Sequence, residues 1–194
     1  MAGELGLGCL VNTLGGPEKT RRLVNTYQEA IQTARPVGHF INNKVVASTI
    51  GFCDESDRRA REKGADVAAW YLNQSKLRFV LEWSGVDPGS VPQDYQFYVK
   101  GGSRVMDPQQ QTPPTSDQLL AGGGYCIGNP DTCIRVIEEF EAMGVDEIMP
   151  IFQAGHATHQ EVMNSIRLFG QYVIPHFRAK ELHRHRGTEP QRVF

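Results

Sequence analysis

From Gly123 to Phe177 the chain reads turn, capped helix, apolar strand, capped helix, and no other feature constrains its folding more. Gly128-Asn129-Pro130 supplies an N-cap acceptor followed by Pro at the first helical position, where its missing N–H costs nothing. Ile134, Val136, Ile137, Phe140 and Met143 then recur at helical spacing as one apolar stripe, and Gly144 stands where a left-handed cap ends a helix. Val145 to Phe152 has little polar alternation after Glu147, as expected of a parallel strand covered on both faces. Thr158-x-x-Glu161 is a capping box opening a second amphipathic helix through Val162, Ile166, Phe169 and Val173, which Pro175 is expected to help end. This alternation is the rhythm of the last units of a parallel α/β barrel.

Upstream, the apolar run Leu5 to Val11 is flanked by glycines and reads as a strand, and Gly16-Pro17 opens a helix carrying Leu23, Val24, Tyr27 and Ile31. Pro36 to Asn43 leads to Val45–Phe52, which is rich in β-branched residues and fits a second buried strand. A long helix follows, capped by Asp54 or Ser56 and running through Ala60, Ala65, Ala68, Tyr71 and Leu72 to about Val80. From Leu81 to Gly124 the regularity fails at Pro88, Pro92, Pro108, Pro113 and Pro114. A connection of about forty residues is far longer than usual, so it is either disordered or functional, such as a lid. Trp83, Tyr95, Phe97 and Tyr98 argue that its first half packs on something. The tail Ala179 to Phe194 is polar and basic and reads as frayed.

A chain of 194 residues with 40% apolar content can bury the core of one domain. A complete (β/α)8 barrel typically needs roughly 250 residues, so the chain is either another fold or part of a barrel. Its 20 basic and 22 acidic residues are dispersed, which gives no electrostatic footprint for nucleic acid or an anionic membrane. The expected partner is a small molecule or another protein. Cys9, Cys53, Cys126 and Cys133 lack paired metal spacing, and no secretory signal precedes them, which points to a reducing, cytoplasmic setting.

His156-x-x-His159 has no third ligand near it in sequence, and His159 falls inside the capping box, so no metal is expected there. Gly122-Gly123-Gly124 followed by Gly128 matches neither dinucleotide nor P-loop spacing and reads as a hinge. No nucleophile elbow is present. Barrel geometry then directs attention to the carboxyl ends of the strands: Leu10 to Thr13, Phe52 to Asp54, Ile127 to Asn129 and Phe152 to His156.

Gly128-Asn129-Pro130, Ile134, Ile137, the turn Gly144-Val145-Asp146-Glu147 and the closing helix Ser165-Ile166-Arg167-Leu168-Phe169 to Val173-Ile174-Pro175 resemble the bacterial-luciferase-like, flavin-dependent monooxygenases. The resemblance runs from about Ala2 to Arg178. It implies a partial TIM (β/α)8 barrel over residues 1–178, about the last three strand-helix units, with 81–124 as an insertion closing over the site and 179–194 as a disordered tail. It further implies an enzyme that uses reduced FMN, with O2 as co-substrate, to oxygenate a small organic substrate in a dry pocket. The resemblance puts Leu10, Val11, Asn12 and Thr13 against the flavin ring and Trp70, paired with Tyr71, near the pocket. Thr13 stands where light-emitting relatives tend to carry Trp, and Asn129 where Thr is more usual. The family's main phosphate loop and the histidine of its light-emitting members match no position here, so no catalytic residue is assigned. Two alternatives stay open: a non-catalytic flavin-binding or half-barrel interaction protein, and a deazaflavin-dependent relative. With unpaired outer strands, the chain is expected to form a homo-oligomer or to pair with a missing N-terminal half, Leu5 to Val11 being the more exposed edge.

Overall fold

The β-branched run Val45–Cys53 forms the central strand β2, and the other strands of this computed structural model all pair with it in parallel. Described are residues 1–83, 87–91, 93 and 116–187. β1 (Cys9–Asn12) and β4 (Glu147–Ile151) both pair with Val46, Ala47 and Ser48, and therefore flank β2 on opposite edges. β3 (Cys126–Gly128) takes up pairing at Gly51, just past the Ile50↔Ile151 pair where β4 leaves it.

The helices are α1 (Pro17–Ile31), α2 (Asp57–Trp83), α3 (Ser116–Ala121), α4 (Pro130–Ala142), α5 (His159–Leu168) and α6 (Ile174–Gly187), the last two joined by a π-turn at Phe169–Val173. Alternation along β2 sorts them onto two faces. Val45 and Ala47, with Val11 beside them, bury against Val24, Tyr27 and Ile31 of α1 and Phe140 and Met143 of α4. Farther along that face, Cys53 and Cys126 pack with Cys133 and Ile137 of α4, Leu168 of α5 and the π-turn's Phe169 and Val173. Ile50, Phe52 and Ile127 point the other way, onto Ala60, Val67 and Ala68 of α2 and Leu119 of α3. Gly64 lets α2 come close here, because a Cβ would press on the side chains of Ile127 and Phe52.

A closed barrel keeps its helices outside. Here α2 and α3 cover the carboxyl half of the face that would look inward, and its amino half stays open, with Leu10 61% and Met149 45% exposed. Leu10 pairs with Val46, and both Asn12 and Met149 pair with Ser48, so these residues share that open face.

The parallel strand-helix architecture agrees with the sequence, with four strands where about three strand-helix units were expected. The additional strand is β3, whose end was read at Ile127 to Asn129: its three residues carry no periodicity of their own, and they lie just past the irregular 81–124 stretch. The first strand is shorter than the run Leu5 to Val11. Gly3–Leu5 forms a 3-10 turn that Gly6 ends at φ 68, and pairing starts at Cys9. Pro175 does not end the last helix. The π-turn precedes it, with the Ile174 amide on the Phe169 carbonyl, and the helix runs on through Pro175 as the second residue of α6. Ile166 is exposed, and Ser165 occupies the buried stripe in its place. α2 extends to Trp83 and α3 begins at Ser116, while most of the stretch read as a lid, including Tyr95, Phe97 and Tyr98, lies outside the described residues. The helix also continues past Arg178 to Gly187, so the first part of the expected tail is helical, and 188–194 lie outside the described residues. Among the described residues no helix is long and apolar enough to cross a membrane.

Candidate functional site

Parallel pairing puts the ends of all four strands on one side of the sheet. At the end of β1 the Asn12 side chain accepts from the Leu14 amide at 2.8 Å and starts a 3-10 turn. Thr13 is fully buried, its hydroxyl between the carbonyls of Ser48, at 3.2 Å, and Gly124. Thr49 also donates to the Gly124 carbonyl, at 2.7 Å. Gly124 has φ 87, and a Cβ there would strike the Thr13 carbonyl, so this crossing of two chain segments requires glycine.

At the end of β3, Asn129 caps α4 by accepting from the Thr132 amide at 2.9 Å. The Asp57 carboxylate accepts from the Asn129 amide at 3.1 Å and the Thr132 hydroxyl at 2.9 Å. The first residue of α2 thus places its own negative charge on the N-terminus of α4, where an anion is electrostatically favoured. At the end of β4, Gly155 takes φ 61 against the Trp70 side chain, and the rings of Trp70 and His156 meet edge to face at 6.5 Å.

The end of β2 is the most charged. Asp54 accepts from the Ser56 amide at 2.8 Å and from Arg59 at 2.6 and 3.0 Å. Ser56 precedes α2 and accepts the Ala60 amide on its carbonyl. The Glu55 carboxylate accepts from Asn164 Nδ2 at 3.1 Å and Arg167 Nη2 at 2.9 Å, with Arg59 Nη2 at 3.7 Å. Hydrogen bonds from its own backbone amide and from Asn164 hold the Glu55 carboxyl below its usual range. Lys63 reaches Glu161 at 3.6 Å across the gap between α2 and α5. Together these groups border a cleft of about 1000 Å³ that also touches Phe52 and Met163.

The resemblance-based residues separate on this frame. Leu10 and Asn12 lie on the open face of the sheet; Val11 and Thr13 are turned under the helices, with the Thr13 hydroxyl already taken. Trp70, 37% exposed, stands on α2 beside His156, which follows the end of β4. The acids and bases at the end of β2 escaped sequence reading. Asp54-x-Ser56 carried a local signal, read as a cap, but Glu55 meets Asn164 and Arg167 across more than a hundred residues, a distance at which spacing carries no information.

Solved structures share this fold. The monooxygenase RslO1 from Streptomyces bottropensis matches 91% of the chain with 44% of its own, at 18% identity and a TM-score of 0.60. The oxygenating constituent of 3,6-diketocamphane monooxygenase from Pseudomonas putida, a type II Baeyer-Villiger monooxygenase in complex with FMN, matches 90% with 44%, at 17% identity and 0.57. Coenzyme F420 dependent tetrahydromethanopterin reductase from Methanopyrus kandleri matches 91% with 47%, at 24% identity and 0.51. The chain has a partial (β/α)8-barrel fold. It spans less than half the length of these proteins. No family model matches it, and no curated protein matches it in sequence.

Proposed function

We propose that this chain is the flavin-facing part of a luciferase-like oxidoreductase that oxygenates a small organic substrate. The supporting observation is the open sheet face at Leu10, Asn12 and Met149, in a fold shared with a monooxygenase in complex with FMN and a coenzyme F420 dependent reductase. A planar ring suits this surface. Leu10 and Met149 offer exposed apolar area on either side of β2, and Asn12 at the end of β1 adds a polar point. Leu10, Asn12 and Met149 would hold the ring, with Trp70 and His156 farther along the carboxyl side. When bound, the reduced cofactor supplies the electrons for O2 chemistry, and the protein's share is positioning and exclusion of water.

The α4 N-terminus does not suit the cofactor's phosphate, because the Asp57 carboxylate already fills it. Val11 and Thr13 serve the core instead of the ligand. In this reading catalysis also needs strand-helix units supplied from elsewhere, since an open half-sheet leaves one side of the ring in water.

Equilibrium titration of the chain with FMN, and in parallel with coenzyme F420, tests the reading. Saturable binding of one of them, lost in Leu10→Asp while circular dichroism stays native, is the expected result and also separates the flavin from the deazaflavin. Absence of binding to both would leave the interaction-protein alternative.

A further inference from the structure

The chain leaves β2 through Asp54 to Ser56 into α2 on one face of the sheet, and leaves the adjacent strand β4 into α5 on the other. Where neighbouring parallel strands send their connections to opposite faces, a crevice opens at their carboxyl ends, and open α/β sheets bind ligands there. The cleft of about 1000 Å³ lies at this position, between the first turns of α2 and α5. Two helix N-termini therefore border it. Arg58, Arg59, Lys63 and Arg167 stand around it, paired with Glu62, Asp54, Glu161 and Glu55 of the same lining, with Met163 offering an apolar wall that is half exposed.

A carboxylate already sits in the middle. Glu55 is held by Asn164 Nδ2 and Arg167 Nη2, with Arg59 within 3.7 Å, and Arg167 is itself aimed by the Asn164 carbonyl oxygen at 2.8 Å and by Gln171 at 3.2 Å. The receptor geometry is thus assembled around an oxyanion that belongs to the protein. Glu55 is on a connecting turn and about half exposed, so it can leave without opening the core.

We propose that this cleft is a binding site for an organic oxyanion, a phosphate or carboxylate on a flat apolar body, whose head group takes the place of the Glu55 carboxylate on Arg167, Asn164 and Arg59 and whose body lies along Met163. The site is separate from the open face at Leu10 and Asn12, since neither residue borders the cleft, nor does Trp70.

Titration calorimetry with phenyl phosphate, benzoate and inorganic phosphate tests this. Phenyl phosphate or benzoate binds at one per chain and more tightly than inorganic phosphate, and their order names the head group. Glu55→Gln removes the internal competitor and tightens binding several-fold, whereas Arg167→Gln weakens it about tenfold through loss of a charge-assisted pair. Opposite signs from two neighbouring exposed residues are not the mark of a folding defect, and circular dichroism of both variants checks the fold. Leu10→Asp leaves phenyl phosphate binding unchanged, which keeps this result independent of the flavin reading. The proposal is overturned by the absence of saturable binding to wild type and Glu55→Gln up to about 10 mM ligand, or by both substitutions moving affinity in the same direction.

Discussion

The hydroxyl of Ser165 accepts from the Cys53 amide at 3.0 Å and donates to the Cys53 carbonyl at 2.8 Å, so one side chain serves both backbone groups of the last residue of β2. β4 pairs with β2 only as far as Ile50, and Ser165, fully buried, takes over where that ladder stops. Ser165→Ala leaves an amide and a carbonyl unsatisfied at about 1–3 kcal/mol each. Chemical denaturation should show a loss of about 3 kcal/mol, and the melting temperature should fall by about 6–12 °C for a domain of this size. A loss under about 0.5 kcal/mol would mean that water reaches Cys53.

Leu10 on β1 and Thr13 just past its end have opposite orientations, and their substitutions should separate stability from binding. Thr13→Val removes a buried donor from the Ser48 and Gly124 carbonyls, though Thr49 still serves Gly124. The single change should cost about 1 kcal/mol, and Thr13→Val with Thr49→Val should exceed the sum of the two singles, because only the pair strands the Gly124 carbonyl. FMN affinity should not move in Thr13→Val once folding is allowed for. A specific loss of affinity there would return Thr13 to the ligand side.

These contrasts show what the sequence carried. The Asn129-Pro130 start, the Thr158/Glu161 capping box, the α1 and α4 stripes and β2 were legible because each rests on contacts within a few residues. β3 was legible only as a strand end at Ile127 to Asn129, since three residues cannot display a period and its pairing with Gly51 to Cys53 is long-range. Ile166 was misassigned for a related reason. A helical stripe tells which apolar residues could be buried, but Ser165 is buried by its bond to Cys53, a partner more than a hundred positions away. The same range hides the Glu55, Asn164 and Arg167 cluster. Pro175 reads as a helix end in any local rule, and the π-turn before it depends on packing against α4.

Acid should act through Glu161. Its carboxylate accepts from the Thr158 amide and hydroxyl, and these bonds, with Lys63 nearby, hold its pKa below the ordinary 4.5. A group depressed on folding adds stability above its unfolded value and gives it up as pH falls through the folded one. The stability difference between wild type and Glu161→Gln should therefore be constant at neutral pH and shrink below about pH 4.5. Denaturation series at several pH values check this. A difference that grows on acidification contradicts the capping geometry.

Thiol chemistry reports on the shared α4 and α5 core. Cys53, Cys126 and Cys133 are fully buried. The Cys53 thiol is pushed well above its usual value, first by its hydrogen bond with Cys133 and then by burial, and that of Cys133 first by its bond with Cys126. Cys9, half-buried on the edge strand β1, is raised by burial but reachable. The thiolate is the reacting form, so burial protects all three core thiols and ionisation adds to the protection of Cys53 and Cys133. At pH 8 the native chain should react with a thiol reagent slowly and at Cys9 alone, and all four of its cysteines should react in denaturant. Cys9→Ser should abolish the native reaction. Peptide mapping that finds label on Cys133 under native conditions would show that α4 lifts from the sheet, and would place the least stable contact of the fold at β3.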